Sequence, residues 1–218
     1  MQLKNKNVFW EALIMAIFIF GIGLLLGMFI ENSRENELAQ LYTNSEIDLL
    51  DVKIQSEILN LGEINCGEAV IKNIEFGDKV YEDAKLLDRY ESASKLKDSL
   101  TQQHKKYDLL RTLLWLNSIK IKEKCGENLF HTVVYLYEYH PESLEEKSRQ
   151  RVFSRFLEEL KDKEGNNIIL IPIARNLNVS SLDFLIEGYG IDQTSIIVDE
   201  SLVVTNPVDF IKIKQELD

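Results

Sequence analysis

Thr132-Val-Val-Tyr-Leu-Tyr-Glu-Tyr139 is the stretch in which this 218-residue chain changes its period. β-branched and aromatic side chains crowd it and Pro141 closes it, which predicts a strand. Ser143 then offers a helix N-cap, and Glu146, three residues on, completes a capping box. Val152, Phe153, Phe156, Leu157 and Leu160 recur at helical spacing to about Lys163, and Gly165 follows. Asn167-Ile-Ile-Leu-Ile-Pro-Ile173 is apolar almost throughout, the pattern of a buried strand. Ser180 or Ser181 is expected to cap a second helix, Leu182 to Tyr189, stopped by Gly188 and Gly190. Ser195-Ile-Ile-Val198 and Leu202-Val-Val-Thr205 flank Asp199-Glu-Ser201 at the spacing of a hairpin. Pro207 stands where a last helix would begin, running to Leu217.

The expected order over residues 129–218 is therefore β-α-β-α-β-β-α, which resembles the thioredoxin fold. The predicted class is α/β, with a C-terminal thioredoxin-like domain. The resemblance implies a C-x-x-C pair between the first strand and its helix, where the helix N-terminus lowers a thiol pKa. It also implies a cis-proline just before the third strand. Tyr139-His140-Pro141-Glu142 stands at the first place and Thr194-Ser195 at the second. The fold is thus expected without ordinary dithiol chemistry.

His140 and Glu142 form the sharpest local pair and are the candidate binding-site residues. A histidine beside a helix N-terminus has its cationic form disfavoured and can act as a neutral base. The plainer reading is a turn in which Pro141 ends the strand and Glu142 favours the helix dipole. His131 opens the strand as a structural residue. His104, among Gln102, Gln103, Lys105 and Lys106, reads as solvated. No G-x-S-x-G, P-loop, G-x-G-x-x-G or H-E-x-x-H occurs, so neither catalytic residues nor a cofactor are expected. Asn178-Val-Ser180 matches the glycosylation pattern.

Upstream, residues 31–128 read as a helical stalk or hairpin. Leu38, Tyr42, Leu49, Val52 and Leu59 recur at three- and four-residue steps, widened by Leu41, Leu50, Ile54, Ile58 and Leu61. Leu61-Gly62 and Cys66-Gly67 are stop signals. A second helical pattern runs from about Glu68 to Ile121 through Leu87, Leu96 and Leu100, with Gly77 and Glu91-Ser-Ala-Ser94 as its expected interruptions. The width of the apolar face favours two or three antiparallel helices over a dimeric coiled coil.

Cys66 and Cys125 each sit in Cys-Gly-Glu, 59 residues apart. Three readings compete: a structural disulfide, which an extracytoplasmic location favours, two buried thiols, or a reactive pair. Two cysteines and three scattered histidines offer no metal-ligand spacing.

Ala12 to Ile30 contains no charge over 19 residues, a helix of about 28 Å, close to the hydrocarbon thickness of a bilayer. The run is longer than a signal-peptide core of about 7–15 residues and ends without an A-x-A pattern, so an uncleaved transmembrane helix is expected over 10–30. Lys4 and Lys6 precede it, and Glu31, Arg34, Glu35 and Glu37 follow. That bias predicts a cytoplasmic N-terminus, 1–9, in the cell membrane and an extracytoplasmic C-terminal part. Gly23 and Gly27, with Ala12 and Ala16, allow a homodimer seam. With Lys4, Lys6 and Glu11 set aside, residues 31–218 carry 35 acidic and 23 basic side chains, a net of −12. Such a surface excludes nucleic acid as a partner and opposes lying flat on anionic lipid.

The short anchor and the Ile/Lys/Glu/Asn-rich composition resemble single-pass prokaryotic envelope proteins. The expected function is a membrane-anchored extracytoplasmic binding or scaffolding module, partnered by a second copy or another envelope protein. The alternative is a membrane-anchored thiol–disulfide oxidoreductase using Cys66 and Cys125.

Overall fold

The computed structural model describes residues 4–62, 64–93 and 97–217, apart from the side chains at 4–7, 34–42, 45, 87–93, 97–100 and 103. The chain is mixed α/β and mostly helical. Its elements are α1 (Lys4–Asn60), α2 (Cys66–Ala93), α3 (Lys97–Cys125), β1 (His131–Tyr137), α4 (Leu144–Glu164), β2 (Ile168–Ala174), α5 (Ser180–Tyr189), β3 (Ser195–Val198), β4 (Leu202–Val204) and α6 (Phe210–Leu217). Two compact units result, Met1–Asn44 and Ser45–Asp218.

In the first unit, Val8–Ser33 of α1 is long and apolar enough to span a membrane, and none of it is buried. Phe18, Phe20, Leu25 and Phe29 are all exposed, as side chains facing lipid would be. The side chains of Lys4, Lys6, Arg34, Glu35 and Glu37, on which the expected orientation rests, lie outside the described residues. So do those of Leu38, Leu41, Tyr42, Leu87 and Leu100, together with Ser94 and Leu96.

The second unit is built on a four-stranded sheet in the order β2-β1-β3-β4. β1 and β2 run parallel from His131↔Ile168 to Tyr137↔Ala174, joined by α4 as a crossover helix. β3 is antiparallel to both β1 and β4. All five central residues of β1 are buried, as a strand covered on both faces requires. On one face Val133, Tyr135, Leu170 and Ile196 meet Phe153, Leu157 and Leu160 of α4 and Ile213 of α6. The other face receives α2 and α3. There Gly77 of α2 touches Ile169, and a Cβ on Gly77 would lie 2.6 Å from Ile169 Cγ2. Gly77 is therefore no interruption: it lies inside α2, where the missing Cβ lets helix and sheet approach.

From Ser45 on, α1 packs with α2 and α3 as successive antiparallel helices, joined by specific polar contacts. Asn117 Nδ2 donates to the Val52 carbonyl at 3.1 Å, Lys120 Nζ to Ser56 Oγ at 2.8 Å, and Asn73 Nδ2 to Ser118 Oγ at 2.9 Å. The helical segment expected as a stalk over 31–128 is thus, from Ser45, part of the same compact unit as the sheet.

Two expected caps differ in detail. Ser143 Oγ accepts the Glu146 N–H at 3.0 Å, but the Glu146 carboxylate is engaged by Gln150 and Thr194. The N-cap of α5 is Val179, with no side-chain hydrogen bond, and Ser180 is already helical. Burial of Val179 in the core starts that helix one residue early.

Candidate functional site

Tyr135 and Tyr137 stand on one face of β1, two residues apart in an extended strand. Past Tyr137 the chain leaves the sheet and is fixed from the end of β2. The Tyr139 N–H donates to Asn176 Oδ1 at 2.7 Å, and Asn176 Nδ2 donates back to the Tyr139 carbonyl at 3.0 Å. Arg175 pairs with Glu138 beside it. His140 takes φ 52°, left-handed backbone that is uncommon outside glycine, and its ring lies 4.0 Å from the Tyr139 ring.

A cleft of about 770 Å³ opens here, lined by Tyr81 of α2, His104 and Arg111 of α3, and Tyr135, Tyr137 and Tyr139. Lys147 and Gln150 of α4 form part of its rim.

His104 and Arg111, which form the floor of this cleft, are backed by a buried polar cluster. Asp108 Oδ1 accepts from Arg111 Nη1 at 3.1 Å and from the Ala174 N–H at 3.3 Å. The Arg111 guanidinium lies 4.4 Å over the Tyr107 ring. His104 Nε2 stands 2.8 Å from the Tyr137 hydroxyl and 3.7 Å from Asp108 Oδ2, with its ring 4.3 Å from that of Tyr139. Burial pushes the Asp108 carboxyl above its ordinary value, against the pull of His104 and Arg111. Burial also raises Tyr107 and Tyr135, which stay protonated phenols. Arg111 is only 2% exposed, and its Nε–H has no hydrogen-bond partner. A buried donor without an acceptor is uncommon in a folded core. Aromatic walls with a few convergent polar groups are the usual make-up of a binding cavity. No thiol lines it.

A second buried cluster lies near the other end of β1. Lys122 Nζ donates to Thr132 Oγ1, Asp199 Oδ1 and Glu200 Oε2, each at 2.8 Å. His131 Nδ1 faces Asp199 Oδ2 at 2.5 Å, and Trp115 Nε1 donates to Glu200 Oε1 at 2.9 Å. Asp199 and Glu200 both have positive φ, 46° and 59°, the pattern of a type I′ hairpin turn. This cluster ties α3 to the β3–β4 hairpin.

The residues singled out from sequence are distributed unequally around these features. Cys66 and Cys125 form a disulfide, Cα–Cα 5.5 Å, joining the start of α2 to the end of α3. Arg111 and Cys125 are 14 positions apart on α3, about 21 Å along its axis. His140 is exposed and lines the cleft, whereas Glu142 is exposed and lies outside the lining. His104 is a correction: it is 5% exposed and part of the cleft floor, because it shares the buried face of α3 with Tyr107, Asp108 and Arg111. Asp108, Arg111 and the four tyrosines were not signalled by any motif. The available signal was spacing, since 104, 108, 111 and 115 form one helical stripe. Comparison with protein-family models, with curated proteins and with solved structures finds no match to this chain.

Proposed function

We propose that this chain is a single-pass, membrane-anchored binding module whose thioredoxin-like domain lies outside the cytoplasm and performs no dithiol exchange. Its binding site is the aromatic cleft at the end of β1. The observation that carries the reading is the location of sulfur. Both cysteines of the chain are joined in one disulfide, about 21 Å along α3 from the cleft floor. The turn after β1 carries Tyr139-His140-Pro141-Glu142 instead. Exchange needs a thiolate that can attack, and that turn supplies none. Before β3, Thr194 is buried and hydrogen-bonded to Glu146 and Gln150. The element order β-α-β-α-β-β-α supports the thioredoxin-like assignment. Lys4 and Lys6 before the span support an inside N-terminus, and a disulfide fits an oxidising compartment.

Insulin reduction by the full chain in detergent tests the reading against the oxidoreductase alternative. No turnover is expected. Replacing Cys66 and Cys125 by Ser is expected to lower the melting temperature, since closing a loop of that size stabilises by about 4 kcal/mol on the chain-entropy model. Turnover that disappears in a double Ser variant that still folds would establish the enzyme.

A further inference from the structure

We propose that the face of α4 bearing Lys147, Arg151 and Arg155 docks a short, extended, acidic segment of a partner protein. An aromatic side chain of that segment would sit in the adjoining cleft. The proposal rests on the binding-module reading and names the chemistry of the partner.

The chain carries a net charge of −11, yet these three cations recur at i, i+4 and i+8 on one helix face. All three are exposed, and among the described residues none of them forms an ion pair. Elsewhere in the unit several cations are matched, Lys79 with Asp48, Lys161 with Asp78, Arg175 with Glu138, and Lys122 with Asp199 and Glu200, whereas Lys53 and Lys214, like these three, form no ion pair among the described residues but stand singly. The three free charges line a groove of about 1050 Å³ whose wall is the stacked pair Phe156 and Phe210, 4.0 Å between centroids. Pro141, Lys147 and Gln150 line both this groove and the aromatic cleft, so the two are continuous. At the cleft floor the Arg111 Nε–H still lacks an acceptor. Tyrosine and arginine around an apolar pocket are the residue types that dominate protein-binding hot spots.

Spacing selects the conformation of the partner. Cations four residues apart on a helix are about 6 Å apart along its axis, and alternate side chains of an extended strand are about 6.6 Å apart. Acids at three alternate positions of an extended segment therefore meet Lys147, Arg151 and Arg155 in turn. The length of the row selects against longer polyanions. Glu158 and Glu159 line the same groove one turn beyond Arg155, Glu158 lining the cleft as well, and would repel a fourth negative charge. That end-stop disfavours nucleic acid and anionic membrane, whose charges run on past it, and leaves a short acidic stretch as the match.

The test uses the full chain in zwitterionic detergent and a fluorescein-labelled peptide, Tyr-Gly-Glu-Ser-Glu-Ser-Glu, read by fluorescence anisotropy. Saturable binding is expected, weakened at least about tenfold by Arg151→Glu with Arg155→Glu, and weakened by added salt. Tyr137→Ala should weaken it through the cleft. Lys53→Glu, a single reversal on α1 with half the double variant's change in charge, should leave it unchanged, and thermal melts establish that each variant folds. The proposal is overturned if no saturable binding is seen, if the glutamine counterpart of the peptide binds equally, or if the double reversal has no effect. Tighter binding of a thymidine oligonucleotide or of phosphatidylglycerol vesicles to this face would overturn it as well. The insulin assay reports on the redox-inactive module separately, so a failure here leaves that reading to stand or fall on its own result.

Discussion

Asp108 and Asp199 are both held by cations of α3, and their carboxyls move in opposite directions. Burial dominates at Asp108 and raises it. At Asp199 burial also acts upward, but hydrogen bonds from Lys122, His131 and the Thr132 N–H more than offset it and hold the carboxyl below its ordinary value of 3.8. The signs for stability follow. Because its folded pKa is depressed, Asp199 contributes stability that is complete above 3.8 and is lost as pH falls through the lower folded value. Asp108 has the opposite sign: its ionisation weighs against the fold as pH rises past 3.8. Asp199→Asn is therefore expected to flatten the acid limb of melting temperature against pH relative to the parent chain. Parallel acid limbs in the two proteins would contradict the assignment. Asp199 was legible only as a hairpin residue, since its partners Lys122 and Thr132 are distant in sequence, and Asp108 was not legible at all. The buried stripe of α3 at 104, 108, 111 and 115 is largely polar, so a pattern that scores only apolar residues passes over it. His104 reads as solvated because its sequence neighbours Gln102, Lys105 and Lys106 point elsewhere on the helix.

The elements themselves were more legible than their boundaries. The β-branched and aromatic run at Thr132–Tyr139 and the apolar run at 167–173 became β1 and β2, and Asp199-Glu-Ser201 became the hairpin loop. Glycine was the least transparent residue at this scale, since helix propensity marks it as a break whatever lies opposite. Gly77 and Gly188 separate the two cases. A methyl at Gly77 enters the Ile169 side chain, whereas at Gly188, inside α5, nothing lies within 4 Å. Gly188→Ala should raise stability by about 0.5–1 kcal/mol through helix propensity. Gly77→Ala should lower it by about 1–3 kcal/mol, overpacking outweighing the same propensity gain. Denaturant melts of the pair check this, and two changes of the same sign would refute close α2–sheet packing. The missing side-chain cap on α5 has a similar lesson: a buried Val179 overrode two serines that were better caps in isolation.

At the scale of the whole chain, sequence located the apolar span and the cysteine pair, but it did not place the helices after Ser45 in one unit with the sheet. That association depends on contacts between distant residues, Gly77 with Ile169 and Lys122 with Asp199, which no local pattern encodes. The disulfide gives the unit a property that neither melting nor chemistry reveals. Tension applied through the apolar part of α1 enters this unit at Ser45 and can peel α1 away from Asn117 and Lys120. At Cys66 it meets a covalent bond to Cys125, and the load crosses that bond toward His131 at the head of β1 without passing along α2 or α3. The segment between the cysteines, 59 positions from one to the other and roughly 200 Å of extended chain, stays out of the force path. Single-molecule pulling between Ser45 and Asp218 should therefore release roughly 200 Å less length from the oxidised protein than from the Cys66→Ser, Cys125→Ser variant, and equal lengths would refute it. Once α1 has peeled away, a pull on it follows a covalent path that bypasses α2 and α3, the two helices that line the cleft.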